Sequence, residues 1–314
     1  MIILDDNHKV RRLIEGHYEN DDVLFWNSNE AEMRPDYDYT TLKAKSFIEV
    51  TGNLDGIKFS DPNHRAVIWP WMWLLDTIRT CWNPVNPDYT DPDRYWQVCK
   101  EPTDYYTCML GQDRPHRQSV YDLLVAYEGT AALPYVTFVG QGICADVQQE
   151  KNQEINRVNW TPRNQILTHQ FPPWYDNVVI DLVVETHEDM TFYTEKTWKP
   201  LLGMRLPLIF GNVHMYDQLS DWGFYFCENM IDYSFSKEDH PYIRAKRLIE
   251  ELMRIKREVP LDVLHKESLG SRKTNQRLCF DLLEDIEIYD APAINPTDVS
   301  LLKQAKEIKS TLDL

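Results

Sequence analysis

Phe192-Tyr-Thr-Glu-Lys-Thr-Trp-Lys-Pro-Leu-Leu-Gly-Met-Arg-Leu-Pro-Leu-Ile-Phe-Gly-Asn212 decides the fold of this chain. It places a charged cluster ahead of a helix and follows the helix with a short apolar run, Leu206-Pro-Leu-Ile-Phe-Gly211. Upstream, Val178-Val-Ile-Asp-Leu-Val-Val-Glu185 is a β-branched run of the kind that fills a parallel sheet, and it ends on a carboxylate. Strand, loop, helix, strand is a right-handed crossover unit, and ligands of open α/β sheets sit at the carboxyl ends of such strands. The cluster suits a nucleotide diphosphate. Thr194 can cap the helix, whose first N–H groups and dipole favour an anion, and Lys196 and Lys199 add positive charge. Glu195 is a good acceptor for the two hydroxyls of a ribose. Pro200 would delete a backbone bond inside a helix at about 3 kcal/mol, so regular helix is expected only from near Trp198, with Thr194 to Lys196 in the loop.

A second segment, Tyr105-Tyr-Thr-Cys-Met-Leu-Gly-Gln-Asp-Arg-Pro-His-Arg117, leads into the helical spacing of Val120, Leu123, Leu124 and Tyr127. Arg114 and Arg117 at a strand end suit a diphosphate, because guanidinium forks bind phosphate oxygens bidentately and keep their charge. Further on stand Asp221, Trp222, Gly223 and Phe224, then Asp232-Tyr233-Ser234, which resemble the helix ending at Gly and the strand leading to an acidic turn of a known enzyme group. These segments in this order resemble the donor-binding half of GT-B glycosyltransferases, closest to the fucosyltransferase-like group and the glycosyltransferases encoded by tailed phages. In fucosyltransferases the corresponding stretch reads Glu-Asn-Ser, then Tyr-Val-Thr-Glu-Lys, and its Glu and Lys hold the ribose and diphosphate. Here Phe192 fills the tyrosine position and Thr186-His187 follow Glu185; the likeness covers roughly residues 103 to 258.

The resemblance implies an α/β fold of two Rossmann-like lobes with a cleft between them. Residues 1–100 would form the acceptor-side lobe, 101–292 the donor lobe, and 293–314 a carboxyl-terminal helix crossing back to the first lobe. It implies a nucleotide diphosphate sugar as donor substrate, with Arg114, Arg117 and Lys196 neutralising the leaving diphosphate beside Thr194. Glu195, with Glu185, would orient the ribose or sugar. A base from the first lobe would take the acceptor proton, with Asp5, Asp61 and His64 as candidates by residue type alone. No metal is expected in the chemical step: the Asp-x-Asp spacing occurs as Asp91-Pro-Asp93, within a proline-rich linker. The acceptor would be a hydroxymethylated base of phage DNA, a DNA modification, or else a glycan or protein. The rival readings are a non-catalytic nucleotide-sugar-binding protein and a structural interaction protein.

Composition agrees with two lobes: 314 residues, 43% hydrophobic and 12% aromatic, are ample for two cores. Lys and Arg number 33 against 50 acids, a net charge of −17, which disfavours broad attraction to nucleic acid or anionic membrane. A local basic patch is expected at the donor cleft with Arg157 and Arg163; a second set, Arg244 to Arg257 with Arg272-Lys273, is mixed with Glu250, Glu251 and Glu258 and reads rather as a solvated helix. The six cysteines show no metal or disulfide spacing, and no segment has the apolar length of a membrane span, so a cytoplasmic setting is expected, the host cytoplasm if phage-encoded. Short strands are expected at Met1 to Leu4, Val23 to Trp26 and Phe47 to Val50, and an amphipathic helix through Ala245, Leu248, Ile249, Leu252 and Ile255. Ile68-Trp-Pro-Trp-Met-Trp-Leu-Leu75 reads as core or lobe interface, or as a platform for stacking an acceptor.

Overall fold

The computed structural model describes residues 2–4, 17–27, 43–51, 63–68, 71, 73, 74, 77, 102–129, 133–142 and 174–284. Asp5 and Asp61, the insertion from about 148 to 173 and the carboxyl-terminal helix at 293–314 lie outside these residues.

Two four-stranded parallel sheets form. The first runs β1 (Ile2–Leu4), β2 (Asp22–Asn27), β3 (Ser46–Thr51) and β4 (His64–Ile68) in sequential order. Its first three strands match the sequence expectation, and β4 is an addition. Val23, Phe47 and His64 are buried in it. The second sheet contains β5 (Asp104–Leu110), β6 (Val136–Phe138), β7 (Val178–Val184) and β8 (Leu206–Phe210), ordered β6-β5-β7-β8. The chain steps from β5 to one side, then returns to the other side for β7. That reversal is a topological switch point, and it opens a crevice between the carboxyl ends of β5 and β7.

The helices follow from local signals. In α1 (Pro115–Glu128), Pro115 supplies a preset φ at the first position and holds Arg114 extended; Gly129, at φ 76°, ends the helix. Next come α2 (Glu195–Leu202), α3 (Met215–Asp221), α4 (Pro241–Glu258), α5 (Leu261–Glu267) and α6 (Leu269–Glu284). The five apolar residues expected on one face of α4 are all buried. α1 packs on α4, whereas α2 packs on β7, β8 and α6. Right-handed crossovers from a switch point send α1 and α2 to opposite faces in this way.

All seven residues of β7 are buried. Their two-residue period puts Asp181, Val183 and the following Glu185 on the α2 face. Tyr175 donates its hydroxyl to Asp181, and Lys199 and Arg205 attract the same carboxylate. Lys199, only 2% exposed, is thereby a core cation beside Asp181. The expected phosphate role for it gives way, because the fifth residue of α2 points back under the sheet.

Helix α2 starts at Glu195, three residues earlier than expected, and carries Pro200 within it. In a helix this short, proline forfeits a single bond, while Gly203 N–H still reaches the Lys199 carbonyl at 2.8 Å. Three side chains satisfy the carbonyls of its last residue and of the two residues that follow. Gln276 donates to Leu202 O at 2.7 Å, Arg205 to Gly203 O at 2.8 Å and Arg272 to Met204 O at 3.0 Å. No strand follows Phe224; residues 224–232 are irregular with a turn at 228–230, and a 3₁₀ turn at Tyr233–Lys237 is capped by Asp232, which accepts from Ser234 N–H at 2.8 Å.

Trp71 packs on Trp222 at 4.6 Å and on Trp198 at 5.9 Å, and Trp73 meets the edge of Phe192 at 6.5 Å. These indoles join the aromatic core of the second sheet, so the core reading of the tryptophan run holds at Trp71 and Trp73. Among the described residues, no helix is long and apolar enough to cross a membrane, no group of acids, histidines or cysteines could hold a metal, and Cys108, Cys227 and Cys279 are free and buried.

Candidate functional site

The site forms at the switch point, where the loop after β5 meets the loop after β7. Arg114, at the end of the first loop, and His116 and Arg117, in the first turn of α1, reach the end of the second. Arg114 Nη1 donates to Thr186 O at 2.7 Å, His116 Nε2 to Glu185 O at 3.0 Å, and Arg117 Nη2 to Thr186 Oγ1 at 3.4 Å. Lys196 arrives from the start of α2, and its Nζ donates to Thr186 Oγ1 at 3.3 Å, Thr194 Oγ1 at 3.2 Å and Glu195 Oε1 at 2.6 Å. Three cations therefore converge on one neutral threonine.

Glu185 organises this cluster from below and is 1% exposed. Its Oε1 accepts from Thr194 N–H at 3.1 Å and Thr197 Oγ1 at 2.6 Å; Oε2 accepts from Thr194 Oγ1 at 2.6 Å and Thr186 N–H at 3.2 Å. A carboxylate offers about four lone-pair positions. All are taken by the chain, so Glu185 positions the site and does not present an oxygen to a sugar or ribose. Thr194 serves as N-cap, its hydroxyl oxygen accepting from Lys196 N–H at 3.3 Å while its proton goes to Glu185.

Glu195 differs. It is also 1% exposed, but only Oε1 is engaged, by Lys196; Oε2 is buried with no hydrogen-bond partner among the described residues. A buried, unfilled acceptor on a charged group is costly.

His116 adds no charge to the cluster at neutral pH. Burial pushes its pKa down to about 4, helped by the positive Arg117 and Arg114, while its bond to the Glu185 carbonyl opposes the shift. A carbonyl only accepts, so Nε2 carries the proton in this bond. The ring also stacks on Phe210, centroids 6.0 Å apart. Sequence reasoning gave no role to His116, Thr186 or Thr197. The available signal was the row of hydroxyl residues, Thr186, Thr194 and Thr197, flanking an acid at a strand end.

Gly140 and Gly111 let the arginine loop lie close to the sheet. A Cβ at Gly140 would stand 2.3 Å from Asp113 N, beside Arg114. The expected acceptor base His64 is elsewhere. It opens β4 at the amino end of its sheet, 7% exposed, with its ring edge on Phe47 at 5.9 Å. Ligands collect at carboxyl ends, so burial at the opposite end leaves His64 unsuited to that task. The basic set on α4 and α6 forms no open patch either: Arg244 and Arg272 are buried, Arg254 pairs with Glu251 and Glu258, and Lys256 pairs with Glu128.

A scan against protein-family models gives no match, and comparisons with curated proteins and with solved structures give none.

Proposed function

We propose that this chain is a glycosyltransferase that binds a nucleotide diphosphate sugar at the switch point and passes the sugar to an acceptor hydroxyl. The observation that carries the reading is Glu195, whose Oε2 is buried and unfilled beside Arg114, Arg117 and Lys196. A phosphate alone would account for three cations at the start of a helix. It would not account for an unpartnered carboxylate oxygen next to them. A ligand with both phosphate and hydroxyl groups uses both features.

In the proposed reaction the acceptor oxygen forms a bond to the anomeric carbon as the bond to the diphosphate oxygen breaks. The leaving diphosphate gains charge, and Arg114, Arg117 and Lys196 would stabilise it, an electrostatic effect worth several kcal/mol in a preorganised site. The acceptor proton passes to a base, for which Asp5 and Asp61 are the first residues to replace. Modified DNA, a glycan and a protein hydroxyl are the acceptor classes to assay.

The test is a thermal-shift and transfer experiment with UDP, GDP, CDP and dTDP and their sugar conjugates, using wild type, Arg114→Ala and Glu195→Gln. A donor at a hundredfold its dissociation constant should stabilise the wild type by about 2.7 kcal/mol. Both variants should lose much of that gain. Tight binding without transfer to any acceptor class would favour the non-catalytic nucleotide-sugar-binding reading, and no binding of any diphosphate would refute the proposal.

A further inference from the structure

His116 makes one hydrogen bond among the described residues, and the atom it uses decides what the rest of the ring can offer. Nε2 meets Glu185 O at 3.0 Å, so the proton of the neutral ring sits on Nε2 and Nδ1 carries a lone pair. At the next residue, Thr186 O accepts from Arg114 at 2.7 Å and Thr186 Oγ1 from Arg117 at 3.4 Å. Contacts to two consecutive residues thus fix the imidazole beside both guanidinium groups. His116 and Arg114 are half-buried, so solvent reaches this edge of the cluster.

An anion at the cluster meets three cations and, beside them, a lone pair. The lone pair repels a phosphate oxygen, and one proton from solvent removes that repulsion. Protonation leaves Nε2–H on Glu185 O and turns Nδ1 into a charge-assisted donor. Nδ1 is the ring nitrogen nearer the backbone, on the side of the first turn of α1, which no side chain caps. The surrounding groups disfavour a charge on the ring by itself. Arg117, Arg114 and His187 oppose it, and Lys196 reaches Thr186 Oγ1 from α2. Glu185 faces the ring with its backbone carbonyl, while its carboxylate is engaged by Thr186, Thr194 and Thr197. From β8 comes the uncharged Phe210, stacked at 6.0 Å, with Arg244 of α4 over the same Phe210 ring at 5.3 Å. The pKa, pushed down to about 4 by burial and then by these arginines, agrees.

We infer that His116 is a phosphate-binding residue that acts only as its cation, so that the diphosphate binds together with a proton held between Nδ1 and a phosphate oxygen. The inference rests on the nucleotide-sugar reading above and adds to it a proton taken from solvent on binding and returned on release. No covalent bond of the ligand changes. An opposite charge within about 4–6 Å strengthens a histidine's hold on its proton about ten- to a thousandfold. From a pKa of about 4, each binding event at pH 5.5 then takes up about a fifth of a proton to nearly one.

Titration calorimetry of the full chain with UDP-glucose, GDP-mannose, CDP-glucose and dTDP-glucose tests this, because the diphosphate of these conjugates keeps both charges from pH 5.5 to 8. Two buffers of different ionisation enthalpy read the proton uptake directly. The wild type should show that uptake at pH 5.5 and none at pH 8, where its affinity should be up to about thirtyfold weaker. His116→Gln keeps an N–H for Glu185 O but takes no proton, and should bind without uptake. His187→Gln, the neighbouring control, should retain it. Binding by the wild type without uptake at pH 5.5 would overturn the inference and leave the nucleotide-sugar reading standing. Uptake that persists in His116→Gln, or disappears in His187→Gln, would do the same. The wild-type measurement needs no variant, so a His116→Gln chain that failed to fold would not shield the inference. If the wild type binds none of the four conjugates, the nucleotide-sugar reading fails and this inference falls with it.

Discussion

Replacing Glu185 by glutamine changes almost no volume and removes one acceptor oxygen from the centre of the site. Each carboxylate oxygen accepts one hydroxyl and one backbone N–H: Thr197 and Thr194 N–H on Oε1, Thr194 Oγ1 and Thr186 N–H on Oε2. Whichever oxygen becomes an amide nitrogen, the hydroxyl there can turn and accept. The backbone N–H cannot. One buried N–H is left facing another donor, at about 1–3 kcal/mol, and the remaining bonds lose their charge assistance. Relief from burying a carboxylate offsets part of this, so a net loss of about 2–4 kcal/mol is expected. Urea denaturation should show it as a lower midpoint with an unchanged slope. Thr197→Val removes one donor from the same carboxylate, and the double variant should lose less than the two single losses combined. A loss below about 0.5 kcal/mol in Glu185→Gln, the range of an ordinary surface substitution, would refute the view that this carboxylate holds the site together.

His116 should make the fold sensitive to mild acid. Its proton binds near pH 6.5 when unfolded but only near about 4 when folded, so falling pH favours unfolding between those values, by up to about 3 kcal/mol. Asp181 acts oppositely in an overlapping window, because burial raises its folded pKa to about 6; stability curves against pH for His116→Gln and Asp181→Asn separate the two, and identical curves for His116→Gln and wild type would reject the assignment. Gly140→Ala forces a Cβ against Asp113 backbone, so about 1–3 kcal/mol of stability and a shifted Arg114 loop are expected, visible as weaker diphosphate binding in titration. Arg272→Met strips donors from Met204 O and His265 O, and should cost about 2–5 kcal/mol in chemical denaturation through buried carbonyls left without partners.

Strands β5, β7 and β8 of the second sheet were legible because their signals are local, whereas the three-residue β6 was not named. A β-branched run and a five-residue apolar strand each carry their meaning within a few residues. Arg114, Arg117, Thr194, Glu195 and Lys196 do converge, as their places at strand ends and a helix start implied. Side-chain direction was less legible. Lys199 and Lys196 are three residues apart on α2 and equally charged, but one faces Asp181 in the core and the other the cluster. Glu185 and Glu195 are both buried acids beside the same helix, and only the count of donors around each tells scaffold from open acceptor. Such counts depend on residues distant in sequence, and no periodicity reports them. The strand β4 was missed because His64-Arg-Ala-Val-Ile68 opens with two polar residues and runs straight into the tryptophans. His64 was chosen by residue type alone, and type does not say which end of a strand a residue occupies.

The two ends of α2 are held by unrelated means, and this bears on how the site can work. Glu185 fixes the amino end through Thr194 and Thr197, whereas Arg205, Arg272 and Gln276 fix the carboxyl end through the carbonyls of its last residue and of the two that follow. Between them Trp198 is fully buried among Trp71, Tyr193, Trp222 and Phe224. A helix pinned at both ends and packed along its length cannot swing toward a ligand without breaking several of these contacts together. Its N-terminal dipole and Lys196 are consequently set before any anion arrives, and no ordering of the helix is charged against binding.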